Sequence, residues 1–307
     1  MSIRLVLSTL LFLSGPVPQV DALDRDRAPD AQSNDVCSDQ GGSALVTFED
    51  GSLEAAVRSA LSIGASVDLT CGLVSGLTSL TAAGAEIEDL EGIQRLTGLE
   101  RLDLWDNAII DISPLGGLTS LSWLNIGANS VADVSALAGL TNLTFLQIRE
   151  NEIADVGGLG VLTRLTDLDI SYNDISDISA LSGLTSLTTL RVYNNPITDI
   201  AAMRGMTSLS ELHVHDLPDL TTIQPLVENT GLGEGDVVIV YNSDVCSEVR
   251  ELRDKRVRVP GCVVESLLHW WWAVLLGIGL AAAGAVLHRR RNDRRWAKWR
   301  AEAADVE

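Results

Sequence analysis

Along the middle of the chain, apolar residues recur in one fixed order: two leucines three apart, another apolar residue two further on, an asparagine, then branched residues at short intervals. Asn107, Asn129, Asn151, Asn173 and Asn195 stand 22 residues apart, and around each runs L-x-x-L-x-[LIV]-x-x-N-x-[IV]-x-D-[IV]-x-x-[LM]-x-x-[LM]-T. One unit reads Leu143, Leu146, Ile148, Asn151, Ile153, Asp155, Val156, Leu159, Leu162 and Thr163. A degenerate unit precedes the five, with Leu77, Leu80, Ile87, Asp89, Leu90, Ile93 and Leu96 but Ala85 in the asparagine column. Another follows from Leu209, Leu212 and Val214, slips near Pro218 and recovers at Ile223 and Leu226.

The spacing predicts the unit's shape. Apolar residues two apart, such as Leu102 and Leu104, share one face of a short strand, and the longer intervals after the asparagine turn the return segment's apolar residues inward. One unit cannot bury its own apolar face, whereas stacked units pair their strands in parallel and enclose a continuous core. The expected fold is an α/β repeat solenoid with a parallel sheet on its concave face. The asparagine column is expected to turn inward and satisfy backbone groups of its own and adjacent coils. The aspartate column, Asp89, Asp111, Asp133, Asp155, Asp177 and Asp199, reads as capping the return segments, with calcium ligation as the weaker alternative.

The ends of the chain have a different character. Arg4 followed by an apolar stretch from Leu5 to Val17, then Val20-Asp21-Ala22, predicts a secretory signal over 1–22, with a polar linker over 23–36. Residues 267–287 contain no Asp, Glu, Lys or Arg, carry Trp270, Trp271 and Trp272 near one end and are followed by Arg289, Arg290 and Arg291. That pattern predicts one C-terminal transmembrane helix with a basic cytoplasmic tail over 288–307, Trp296 and Trp299 lying at the inner leaflet. Removal of this segment as a sorting signal is a competing reading. Cys37, Cys71, Cys246 and Cys262 all fall on the exported side, where an even number of cysteines favours disulfides. Three connectivities are open. Pairing within each flank, Cys37 with Cys71 and Cys246 with Cys262, is favoured because each pair brackets one end of the repeats, and zinc lacks a C-x-x-C spacing.

Taken together, the repeat resembles the leucine-rich repeats of the 22-residue, internalin-like class found in bacterial surface proteins, over residues 77–242. The resemblance implies a horseshoe whose helical N-terminal cap falls within 37–76, Leu53, Ala56, Val57, Ala60 and Leu61 forming the helix face. Residues 229–242 resemble a final strand-and-turn unit, leaving 243–266 as C-terminal cap and spacer. No immunoglobulin-like domain and no L-P-x-T-G sorting motif follows the repeats, so a role in host-cell invasion is not implied.

Side chains alternating with the inward leucines define the surface open to a ligand. Candidate binding residues on this concave face are Arg101, Trp105, Trp123, Phe145, Arg149, Asp169, Arg191, Tyr193 and His213. In a chain with only 4% aromatic residues, Trp105, Trp123 and Phe145 beside Arg149 form a candidate hot spot, against which stands the simpler reading that they shield one another. His213 and His215 are read as a polar rim rather than a metal pair, for want of a third ligand. No G-x-S-x-G elbow, phosphate-cradling glycine loop or H-E-x-x-H occurs, so neither catalytic residues nor a cofactor is expected.

Charge narrows the partners. The chain carries a formal net charge of -20, and seven bases against four acids from 267 onward leave about -23 on the segment between the two apolar stretches, which excludes nucleic acid as a partner. The expected function is a non-catalytic protein-binding or adhesion module on the outer side of a membrane. Rivals are a receptor signalling through a partner and, more remotely, a hydrolase using repeats to hold substrate. Only four residues separate Cys262 from Leu267, so the ligand is expected to be a neighbouring membrane protein, an envelope component or something reaching the surface.

Overall fold

The computed structural model describes Cys37, residues 42–241 and residues 245–260. The expected signal, linker, transmembrane helix, tail and Cys262 lie outside the described residues. No helix among the described residues is long and apolar enough to cross a membrane.

Eight three-residue strands form one parallel sheet in chain order: β1 (Ser79–Thr81), β2 (Arg101–Asp103), β3 (Trp123–Asn125), β4 (Phe145–Gln147), β5 (Asp167–Asp169), β6 (Thr189–Arg191), β7 (Glu211–His213) and β8 (Val237–Ile239). The 22-residue period sets the register: Leu102 pairs with Leu124, Leu124 with Leu146 and Leu146 with Leu168, all fully buried. β1 to β6 each return through a single 3-10 turn, as at Ser113–Gly117, Ser135–Gly139 and Gly157–Val161. The residue at the centre of each turn, Leu115, Leu137 or Leu159, is fully buried and completes the core. The aspartates start these turns: Asp111, Asp133 and Asp177 each accept the backbone N–H two residues on, at 2.7 to 2.8 Å. The serine N–H and hydroxyl at Ser135 and Ser179 hold the Asp133 and Asp177 carboxyls below their usual range.

The asparagine column forms a continuous ladder. Asn129 Nδ2 donates to Leu104 and Ile126 carbonyls, Asn151 Nδ2 to Ile126 and Ile148, and Asn173 Nδ2 to Ile148 and Ile170, at 3.0 to 3.1 Å. Each of these interior carbonyls is therefore shared between two coils. The Oδ1 atoms face the preceding coil, Asn151 accepting from Val131 N at 2.9 Å and Asn107 from Ala85 and Ile87 N.

At the N-terminal side, α1 (Gly51–Ala60) packs Leu53 and Val57 into the common core, and a short α2 (Cys71–Val74) follows. Asp50 ties α1 to the first coil: Oδ1 accepts from Ser52 and Leu53 N, and Oδ2 from Glu88 N at 2.8 Å and Asp89 N at 3.3 Å. Burial alone raises its pKa, but the four backbone N–H groups outweigh it and hold the carboxyl below the usual range. Asp50→Ala is expected to cost about 1 to 2 kcal/mol in chemical denaturation at neutral pH. Because the folded pKa is the lower one, this contribution is present above the unfolded carboxyl pKa of about 3.9 and is lost as pH falls through the folded value. The difference between wild type and variant should therefore shrink on acidification below about pH 4.

At the C-terminal side, α3 (Gln224–Glu228) takes the place of a 3-10 turn, and α4 (Val249–Asp254) buries Val249 and Leu252. The edge of β8 is partly covered by a parallel bridge from Val237 to Arg258. Disulfides occur on both flanks: Cys37 is bonded to Cys71, and Cys246 is also disulfide-bonded.

Candidate functional site

The open face of the sheet carries three columns of side chains, one from the first residue of each strand, one from the third and one from two residues beyond. The first column holds Arg101, Trp123, Phe145 and Asp167, which face one another in register. Here the Arg101 guanidinium lies 3.3 Å from the Trp123 ring centre, and Phe145 stacks on Trp123 at 4.7 Å with planes 5° apart. That separation equals the spacing between strands. The rings thus stand on the sheet face to face, their edges directed outward.

The third column forms a second row. The Trp105 ring lies over Gly127, where an added Cβ would come within 2.4 Å of it, so the absence of a side chain there is what lets the indole lie down. The Arg149 guanidinium sits 5.1 Å from the Trp105 ring and 5.8 Å from Tyr172, forms an ion pair with Glu150, and keeps its Nε buried without a hydrogen bond. Burial works against its charge, but the bonded Glu150 carboxylate prevails and raises its pKa. Tyr172 meets Tyr193 edge-on at 5.2 Å, Tyr193 stacks on His215 at 4.3 Å, and His215 reaches Tyr241 at 5.0 Å. Burial raises the Tyr172 pKa, keeping its hydroxyl protonated.

The middle column is polar and partly sunk. Asn125 and Asp169, expected on the open face, are buried, as are Thr189 of the first column and Ser171 of the third. Asp169 Oδ1 accepts from Ser171 N at 3.1 Å and from its hydroxyl at 2.5 Å, and Asn125 Nδ2 donates to Asp103 at 3.0 Å. Arg191 pairs with Glu211 at 2.8 Å, and Glu211 also meets His213 Nε2 at 2.9 Å. Burial lowers the His213 pKa despite that carboxylate, so the neutral ring donates to Glu211, and this hydrogen bond in turn holds the Glu211 carboxyl down. His215 meets Asp216 at 3.0 Å instead of sharing a ligand position with His213.

The nine candidate residues thus fall on one face. The stacked group at β2 to β4 contains Arg101, Trp123 and Phe145, and the ribbon beside it contains Trp105, Arg149 and Tyr193, with Arg191 and His213 adjoining. Tyr172 and Tyr241 belong to the ribbon and were not among the candidates. Tyr172 escapes strand alternation because it follows the strand in a left-handed conformation, with φ of 54°. A hollow of about 250 Å³ opens beside the stacked group, between Phe145 and Tyr193, over β5.

The repeats match the family described as Leucine Rich repeats (2 copies) over residues 141–183 and 163–205. Among solved structures, the chain is similar to an internalin (inlF) from Listeria monocytogenes, with 31% identity over 69% of this chain and 63% of that one, and a TM-score of 0.63. It is also similar to an internalin C2 (inlC2) from Listeria monocytogenes, with 29% identity over 65% of this chain and 99% of that one, and a TM-score of 0.52. The chain spans under two thirds of the length of the first of these structures. No curated protein sequence matches it significantly. These findings and the geometry above make the central region a leucine-rich repeat solenoid, similar in fold to the two internalins.

Proposed function

We propose that this chain is a non-catalytic protein-binding or adhesion module whose ligand is a polypeptide lying across the open face of the sheet. The observation that carries the reading is the way the aromatic residues are spent. Arg101 and Phe145 cover the two faces of Trp123, and His215 covers Tyr193. A sugar ring is gripped by flat aromatic faces, and here both faces of Trp123 and one face each of Phe145 and Tyr193 are occupied by neighbours within the protein. What the sheet offers besides one face of Phe145 is ring edges, hydroxyls, carboxylates and guanidinium groups, the adaptable mix that recognises polypeptide surfaces.

Display on the outer side of a membrane is part of the proposal. It is supported by the leader-like first 22 residues, by the uncharged 267–287 segment ahead of Arg289, and by a Cys37–Cys71 disulfide of the kind that persists in oxidising compartments. Protease added to intact cells should then remove the repeats and leave the tail; full protection of the repeats would sink this part.

The binding face is tested by capture with the full chain extracted from membranes, followed by identification of the retained proteins. Replacing Trp123 and Phe145 together by alanine should weaken capture by about 30-fold or more, equivalent to about 2 kcal/mol for hot-spot residues. Both side chains are only half-buried, so the circular dichroism spectrum should stay unchanged. Undiminished capture by the folded double variant would remove the face from consideration.

A further inference from the structure

Resting on that reading of the sheet, we propose that the hollow over β5 is a receptor for one cationic side chain, a lysine or arginine, of the bound polypeptide. Its walls include Phe145, Arg149, Asp167, Asp169, Arg191 and Tyr193, and its volume of about 250 Å³ holds a long side chain with its water. Two arginines would ordinarily suggest an anion site. Both, however, already have carboxylate partners outside the hollow: Arg149 pairs with Glu150 and Arg191 with Glu211. The carboxylates on the floor are not compensated in the same way. Among the described residues Asp167 accepts only the Thr166 hydroxyl, at 2.8 Å, and Asp169, more than nine-tenths buried, uses Oδ1 alone for Ser171. Neither aspartate forms an ion pair among the described residues, and Arg149 senses Asp169 only across space.

The protein itself displays the contact that a ligand would make. The Trp123–Phe145 stack is closed at one end by the Arg101 guanidinium and is open at the other, where the second face of Phe145 turns toward its register partner Asp167. A cation entering the hollow meets an aromatic face and two carboxylates together, an arrangement that combines cation–π attraction with charge-assisted hydrogen bonding. A guanidinium group, flat and able to stack while bonding sideways, suits both requirements.

The test uses the full chain in detergent and three probes: N-acetyl-arginine methylamide, its uncharged citrulline counterpart, and inorganic phosphate. Calorimetric titration should show saturable binding of the arginine probe with a Kd on the order of 1 mM, and binding of the citrulline probe about tenfold weaker or worse. Asp169→Asn retains an acceptor for Ser171, and Asp167 is only half-buried, so Asp167→Asn and Asp169→Asn should each preserve the melting temperature while weakening the arginine probe by about tenfold. Equal binding of the two probes, preference for phosphate, or full arginine binding by the folded aspartate variants would overturn the proposal. Failure of the arginine probe alongside Trp123-dependent protein capture would overturn the cation receptor alone. Arginine binding without any protein capture would instead overturn the polypeptide reading of the face and leave the receptor standing.

Discussion

Asn151→Ala is expected to lower the free energy of unfolding by about 3 kcal/mol, measured by urea denaturation. The loss divides unequally among the groups that Asn151 serves. The carbonyls of Ile126 and Ile148 are each shared with a second asparagine, Asn129 or Asn173, so they keep one partner after the substitution. Val131 N–H has Asn151 Oδ1 as its acceptor at 2.9 Å, and alanine leaves that donor orphaned in the interior. An unsatisfied buried amide costs about 1 to 3 kcal/mol, and the lost Nδ2 bonds add about 1 kcal/mol each. Asn151→Asp sharpens the test, since it preserves the acceptor for Val131 while turning a carboxylate toward the Ile126, Ile148 and Arg149 carbonyls. It should destabilise at least as much as alanine at neutral pH and recover partly on acidification, when the carboxyl becomes a donor. A loss below about 1 kcal/mol in Asn151→Ala would show that the ladder contributes little beyond register.

The same column shows where sequence reasoning reaches and where it stops. Asn151 is legible because its neighbours repeat every 22 positions and its short amide carries a two-proton donor and a separate carbonyl acceptor. Glu150, immediately before it, is not. That position takes φ between 52° and 56° in every coil from Asp106 to Asp216, yet it is filled by Asp106, Ala128, Glu150, Tyr172, Asn194 and Asp216 in turn, none a glycine. The turn is left-handed in all six coils, including the last, where Leu217 stands in the asparagine column, so it belongs to the coil and not to its occupant, which leaves no compositional trace. Tyr172 was overlooked for that reason, since alternation along β5 stops one residue before it. Asp169 fails differently: alternation places it on the open face, yet it is buried there, with Oδ1 bonded to Ser171. Strand periodicity speaks to direction, and only packing speaks to depth. The aromatic stack lay between these cases, because Trp123 and Phe145 were readable as neighbours one repeat apart while the capping of Trp123 by Arg101 depended on rotamers.

Replacing Cys37 and Cys71 together by serine is expected to cost about 4 kcal/mol, the loop-closure entropy restored to the unfolded chain by opening a cross-link of sequence separation 34. In a solenoid each coil leans chiefly on its neighbours, so the loss should be felt first at the N-terminal end, where the chain makes few other long-range bonds. There the segment before α1 lies antiparallel to residues 69–72: Val46 N bonds Leu69 O, Cys71 N bonds Ala44 O and Gly72 N bonds Gly42 O, each at 2.8 Å. Gly42 and Gly72 pass so closely that a Cβ on Gly72 would sit 2.9 Å from the Gly42 carbonyl oxygen, leaving no side chain to pin the strands once the disulfide is gone. The variant's urea curve should acquire an early phase, with faster amide exchange at Val46, at position 71 and at Gly72 before the coils around Asn151 open. That segment leads into α1, which packs against β1, and a parallel edge left uncovered as α1 loosens pairs readily with another chain. Light scattering should therefore detect association of the variant at denaturant concentrations where the wild type stays monodisperse. A single unfolding transition at the wild-type midpoint would mean that α1 and its Asp50 contacts hold the end of the solenoid without help from the cross-link.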